Sequence, residues 1–451
     1  MATDVAAEIA AAAGDPEALE TAYRRAKRNG QADAFAAEVR RRYEWGPGDV
    51  LMSAWFYRLA TPEESPAAGP AAGSQAEPVS VPGRRINWGL AVSVSVPLAL
   101  VYWICTSDRL NLPLGPPLLF LLWAPLAACA LVVYLTLAAG RTRRDLWVAA
   151  PLLVLAAYAW WFIGQDRSQM HQYQTQMLLH LPLVAWAAVG LHLLGTRLDD
   201  DNRFAFLLKS AEVVLTGGVF FGAAGVFVAI TVGLFSAIGI ALDNAVMNAI
   251  VAAVAGLIPV LATAAVYDTG QTPAQQRFDQ GLARLIGTVG RVFLPLTLLV
   301  GVVYILSIPA NFARPFEQRD VLIVYNAMLF AVMGLMVICT PLPSEELQEP
   351  LQVWLRRGLI LLAAMTVVVS LYAMAATVYR TALGGLTINR VTVIGWNGIN
   401  IALLGVNLGL QFRAGLRGWL AASYRSFRYG MAAYALWTLC LVLVLPLLPL
   451  G

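Results

Sequence analysis

Eleven times between Ile86 and the C-terminus the chain returns to an apolar stretch of about 20 residues, the length a helix needs to cross a bilayer core of roughly 30 Å. The stretches lie near 86–105, 117–139, 146–164, 175–195, 211–241, 247–267, 286–306, 321–340, 356–379, 391–411 and 430–448. Within that core no water is present to bond with the backbone, so runs of this length read as helices. The sequence therefore predicts an all-α fold: a polytopic transmembrane helical bundle of about 11 spans over 86–451, behind a small cytosolic helical domain.

Composition supports a lipid environment. The 451 residues are 59% apolar and 13% charged, whereas a soluble domain carries about 25% charged residues, so most of this surface is not built for water. The 31 basic and 27 acidic residues are dispersed without a like-charge block, which argues against a nucleic-acid partner and leaves the lipid bilayer as the expected one. Cys105, Cys129, Cys339 and Cys440 each sit in or beside an apolar run without the spacing of a zinc or redox motif. They read as small buried hydrophobes.

Residues 1–60 read as three short soluble helices. Asp15-Pro16 opens the first and Gly30 stops it, Asp33 opens a second that ends at Gly46, and Asp49 opens a third. Phe35, Val39 and Tyr43 share one face. Trp55, Phe56 and Tyr57 read as the core of a mini-bundle, with an aromatic docking face for a protein partner as the alternative. Residues 61–85 are rich in Pro, Ala and Gly and read as a linker. No cleavable signal pattern precedes the first long apolar run, so the N-terminus is expected to stay in the cytosol.

Arginine and lysine favour the cytoplasmic side of membrane proteins. With the N-terminus inside, the inner loops hold fifteen of these cations and the outer loops six. A miscounted span would scramble that bias, so it supports eleven crossings with the C-terminus outside, in a bacterial inner membrane. Two regions bend the pattern. The fifth run is about thirty residues long and contains Gly218, Gly222 and Gly225, so it tilts, protrudes or breaks, and its GxxxG pair would allow close helix packing. Residues 341–355, with Pro341, Pro343 and Pro350 around Ser344, Glu345, Glu346 and Glu349, read as a short helix on the inner membrane surface with Trp354 at headgroup depth.

Motifs for nucleotide binding and for zinc or serine hydrolysis are missing, so no cofactor is implied. The histidines are His171, His180 and His192. The last two are turned by about 120° and separated by about 18 Å on a helix, too far apart to share a metal. The most unusual passage is Tyr372, Arg380, the turn Gly384-Gly385-Leu386-Thr387-Ile388-Asn389-Arg390, and then Asn397, Asn400 and Asn407 within the tenth span. Polar side chains at membrane depth face protein or a water-filled cavity. The three asparagines fall within about 80° of one another on a helix, away from Gly405 and Gly409. Either they bond neighbouring helices or they wall a hydrated cavity. Arg380 and Arg390 either anchor helix ends or, if they share a vestibule, form a cationic site for a carboxylate or phosphate. The candidate binding residues are thus Arg380, Thr387, Asn389, Arg390, Asn397, Asn400 and Asn407, for a small-molecule ligand the sequence does not name.

The run around Tyr372, Arg380 and Gly385–Arg390 resembles the bacterial multi-spanning membrane family catalogued as domain of unknown function 4153. The layout of about 85–450 is similar too, while residues 1–60 fall outside the resemblance. It implies an inner-membrane protein and supplies no catalytic residue. Three kinds of function fit: a permease-like transporter without its own ATPase; an assembly or regulatory protein that binds a partner through residues 1–60; and a membrane enzyme on a lipid-linked substrate.

Overall fold

The computed structural model describes residues 5–12, 14–45, 50–60, 86–107, 110, 118–163, 170–195, 197–278, 281–342 and 347–448. The expected linker 61–85, the outer-loop residues Asp108, Arg109, Asp166 and Arg167, and Ser344, Glu345 and Glu346 lie outside them, as do the side chains of Tyr57 and His171. The chain divides into two compact units, Met1–Val81 and Pro82–Gly451.

Among its described residues the first unit has four helices rather than three: α1 (Val5–Ala11), α2 (Pro16–Arg28), α3 (Ala32–Trp45) and α4 (Val50–Ala60). The additional α1 is a short Ala-rich helix preceded in the sequence by Asp4, a residue type favoured at an N-cap, and it packs on the others through the fully buried Ile9. Asp15 caps α2 through the N–H groups of Glu17 and Ala18, as a first-turn proline behind an acidic N-cap directs. Trp55, Tyr23 and Phe35 meet in edge-on contacts at the centre, while Phe56 stacks on Tyr43. Trp55 is therefore core. Salt bridges from Arg58 and Arg24 hold the Glu20 carboxyl below the usual carboxylate range.

Among its described residues the second unit contains eleven helices long and apolar enough to cross a membrane. In order they are α5 (Trp88–Cys105), α6 (Leu118–Ala138), α7 (Ala149–Ile163, led by a 3₁₀ turn), α8 (Met170–Leu194), α9 (Asp200–Ala237), α10 (Asn244–Val266) and α11 (Gly281–Ser307). The short α12 (Arg314–Glu317) is followed by α13 (Arg319–Cys339), α14 (Glu349–Gly384), α15 (Ile388–Ala414) and α16 (Trp419–Leu443). No strand occurs among the described residues. One close crossing is α5 on α10, where a Cβ on Gly256 would lie 2.5 Å from the Ala99 Cα. Only glycine allows that approach.

One expectation is corrected here and one is narrowed. Residues 349–355 are not a separate surface helix. They are the first turns of the 36-residue α14, with Pro350 at its start, where a missing N–H costs nothing. The fifth run does not break at its glycines but continues as the 38-residue α9, about 57 Å at 1.5 Å per residue and well beyond the membrane core. Its first part is embedded through Phe204, Ala205, Phe206 and Leu208, whereas nothing lies near Gly218, Gly222 or Gly225. The GxxxG pair is not a helix contact among the described residues: beyond Glu212 α9 still meets Ile258 and Ala262 of α10 at Gly217, but no atom comes within 4 Å of a Cβ built on Gly218, Gly222 or Gly225.

Long-range polar contacts join helix ends that alternating crossings would put on one side. Arg428 of α16 pairs with Asp200 at the start of α9 at 3.0 Å. Arg356 near the start of α14 donates to the Gln411 carbonyl near the end of α15 at 2.8 Å, and the Tyr424 hydroxyl donates to the Pro341 carbonyl at 2.6 Å. These contacts agree with the count of eleven crossings.

Candidate functional site

The opposite end of the bundle gathers the starts of α8, α13 and α15 and the end of α14. The α14–α15 turn is set by Gly385, whose φ of +76° belongs to the left-handed region that residues with a Cβ avoid. Thr387 then caps α15, its hydroxyl accepting the Arg390 N–H at a long 3.4 Å. Gly384 has an ordinary helical backbone, and its smallness matters for another reason. A Cβ there would come within 2.8 Å of the Arg390 guanidinium, which folds over this residue to donate to the Gly385 carbonyl.

Tyr372 and Arg380 tie the neighbouring connection to the same wall. The Tyr372 hydroxyl donates to the Phe312 carbonyl at 2.8 Å. Arg380 Nη1 donates to the carbonyls of Glu317 at 2.8 Å and Phe316 at 3.3 Å, at the end of α12. Each arginine thus has its guanidinium placed by backbone carbonyls through Nη1. A guanidinium carries five N–H donors, so this placement leaves others for a ligand.

Both arginines line one pocket of about 500 Å³. Its wall also includes Gln172, Thr175 and Gln176 of α8, Asn326 of α13, Thr377 of α14, and Thr387 and Asn389 of the turn. No carboxylate is among the described lining residues, and among the described residues neither arginine forms an ion pair. Three helix N-termini add positive potential against one C-terminus. Thr377 lies seven residues before Gly384, so the pocket descends about 10 Å along α14. Two guanidinium groups, amides and hydroxyls facing one space can hold the oxygens of a carboxylate or phosphate, with neutral polar groups left for a hydroxyl or amide of the same ligand.

Beneath the pocket a buried polar line enters the bundle. Gln176 is 5% exposed, with a side-chain oxygen that has no hydrogen-bond partner. Its carbonyl accepts from His180 Nδ1 at 2.7 Å, and the other ring nitrogen, Nε2, accepts the Trp396 indole N–H at 3.0 Å. These two bonds assign the neutral Nδ1–H tautomer. Trp396 meets Tyr434 edge-on at 5.0 Å, and the Tyr434 hydroxyl donates to Asn400 Oδ1. The Asn400 amide nitrogen is buried without a partner. His192 faces Thr136 instead, on another helix pair.

Of the residues singled out from sequence, Arg380, Thr387, Asn389 and Arg390 come together in the pocket. Asn397, Asn400 and Asn407 share a buried face of α15 as periodicity required, at 3%, 0% and 6% exposure, but they do not line the pocket. For Asn400 the helix-bonding alternative holds through Tyr434. Sequence reasoning missed the α8 wall and Asn326, although Gln172, Thr175 and Gln176 at helical spacing, leading into an apolar run, are themselves a signal. No family model, curated protein or solved structure matches this chain.

Proposed function

We propose that the chain is a multi-pass membrane protein that binds the anionic group of a ligand in the α14–α15 pocket and acts as a permease-like transporter without an ATPase of its own. The observation that carries this reading is the pair Arg380 and Arg390, held by separate backbone anchors and facing one polar space without a carboxylate among its described lining. The buried polar line from Gln176 through His180, Trp396 and Tyr434 to Asn400 supports passage rather than surface binding alone. We further propose a bacterial inner membrane, a cytosolic N-terminus and an outward-facing pocket, from the bias of fifteen cations against six. On the Tyr372–Arg390 passage we place the chain with the family catalogued as domain of unknown function 4153.

The purified protein in neutral detergent is expected to gain thermal stability with inorganic phosphate or a small carboxylate but not with a neutral polyol. Arg380→Ala and Arg390→Ala are each expected to lose that gain. Equal stabilisation of both alanine variants and the parent would overturn the anion site. For orientation, activity reporters placed after Arg144 and after Gly451 should report opposite sides, and two cytosolic signals would refute eleven crossings.

A further inference from the structure

Below the lining residues of the pocket, the facing stripes of α8 and α13 turn apolar. Gln172, Thr175 and Gln176 lie on a stripe of α8 that continues one and two turns deeper as Leu179 and Leu183. These leucines are 62% and 38% exposed, so the polar wall becomes an apolar one open to the membrane. On the facing side Ile323 and Asn326 of α13 line the pocket, and the same stripe continues to Phe330, 39% exposed. The two helices line the pocket together without packing on one another along their lengths. Trp396 closes the back, with Phe330 edge-on at 5.2 Å and the His180 ring stacked at 5.9 Å. Deeper still the α8 stripe is covered: Trp186 donates to Ser210 of α9 at 3.0 Å, and Gly190 meets Phe206. The opening is therefore a lateral cleft of limited depth, polar and cationic at its outer end and apolar below.

From this continuity we infer that the ligand is an anionic lipid, its phosphate held by Arg380 and Arg390 and an acyl chain lying between α8 and α13. The inference rests on the anion-binding reading above and adds the chemical class of the ligand. A free anion satisfies the upper half alone. An apolar molecule satisfies the lower half and leaves two cations facing empty space. A lipid already lies in the bilayer, so its chain enters the cleft without leaving hydrocarbon and brings the headgroup to the arginines at high effective concentration. The unpartnered Gln176 oxygen, 95% buried at the pocket wall, suits a headgroup that also offers a hydroxyl.

The test compares three probes on the full chain in neutral detergent: phosphatidylglycerol, glycerol phosphate as the same headgroup chemistry without chains, and phosphatidylcholine as chains without net charge. Thermal stabilisation titrations should place phosphatidylglycerol about tenfold or more tighter than either of the others. Leu179→Trp fills the cleft from an exposed position and should weaken phosphatidylglycerol about fivefold or more while leaving glycerol phosphate unchanged. Leu183→Trp, one turn deeper, repeats the test at a second site. Arg390→Ala should weaken both anions. Equal affinity for phosphatidylglycerol and glycerol phosphate, or indifference of phosphatidylglycerol to both tryptophan variants, overturns the lipid while the anion site stands. Binding of neither anion overturns both.

Discussion

Lys209 and Arg390 are both cations near the ends of long helices, and the molecule treats them in opposite ways. Lys209, 4% exposed, is held at 2.7 Å by Glu212 and at 2.8 Å by the Arg277 carbonyl, with the Phe278 ring 4.6 Å away. Arg390 meets one backbone carbonyl and then a polar pocket that it shares with a second arginine. A charge taken out of water needs its partners built in, and those partners leave it nothing to offer a ligand. A charge left on the wall of an accessible pocket keeps its hydration when empty and exchanges it for an anion when occupied. The first arrangement fastens α9 to the connection before α11. The second leaves guanidinium N–H donors on the pocket wall.

The largest expected effect lies at the fastened end. Glu212→Leu takes the Glu212 carboxylate away from the buried Lys209 ammonium and should cost about 3–5 kcal/mol. The double variant Lys209→Met/Glu212→Leu removes the buried ammonium as well and should recover most of the loss. Denaturant or thermal unfolding in detergent measures both. If the single variant were as stable as the parent, Lys209 would be a surface cation in practice and the contrast with Arg390 would collapse.

Lysine substitutions sharpen the pocket side. Lysine keeps the charge but lacks the planar fork, so Arg390→Lys should weaken phosphate by about tenfold, about 1.4 kcal/mol. It should change stability little, because Arg390 ties only its own turn. Arg380→Lys should show the binding loss together with a stability loss of about 1–2 kcal/mol, since Arg380 also serves two carbonyls at the end of α12. Parental phosphate affinity in both lysine variants would reduce the arginines to anchors of helix ends.

What the sequence disclosed follows the range of each signal. The spans were legible because membrane crossing imposes length and hydropathy on contiguous residues. The α14–α15 half of the pocket was legible because Arg380, Thr387, Asn389 and Arg390 bracket one turn. The α8 half was not, because nothing local says that Gln176 will face Arg380, some two hundred positions away. The His180–Trp396 bond joins residues 216 positions apart, and spacing along His180's own helix could only exclude a shared metal. The glycines of α9 were open for a related reason: GxxxG permits a close approach but does not specify that a helix will be there.

The smallest effect is the most discriminating between placement and charge. Gly384→Ala changes no charge and touches no ligand, yet its Cβ would press within 2.8–2.9 Å of the Arg390 terminal nitrogens. The obstructing atoms are the far end of a flexible side chain, so the guanidinium can swing aside at little cost, and alanine is the better helix former at the end of α14. Stability should therefore stay within about 1 kcal/mol of the parent, while the displaced guanidinium loses its hold on the Gly385 carbonyl and its aim into the pocket. Phosphate affinity should fall about threefold to tenfold, roughly 0.7–1.4 kcal/mol. Gly385→Ala is the companion variant: its φ of +76° opposes any Cβ, so it should cost about 1–2 kcal/mol of stability by straining the turn itself. An anchoring arginine would make Gly384→Ala behave like Gly385→Ala, with stability falling along with the turn. Only a ligand-facing arginine makes the two diverge, with Gly384→Ala losing affinity in a protein as stable as the parent.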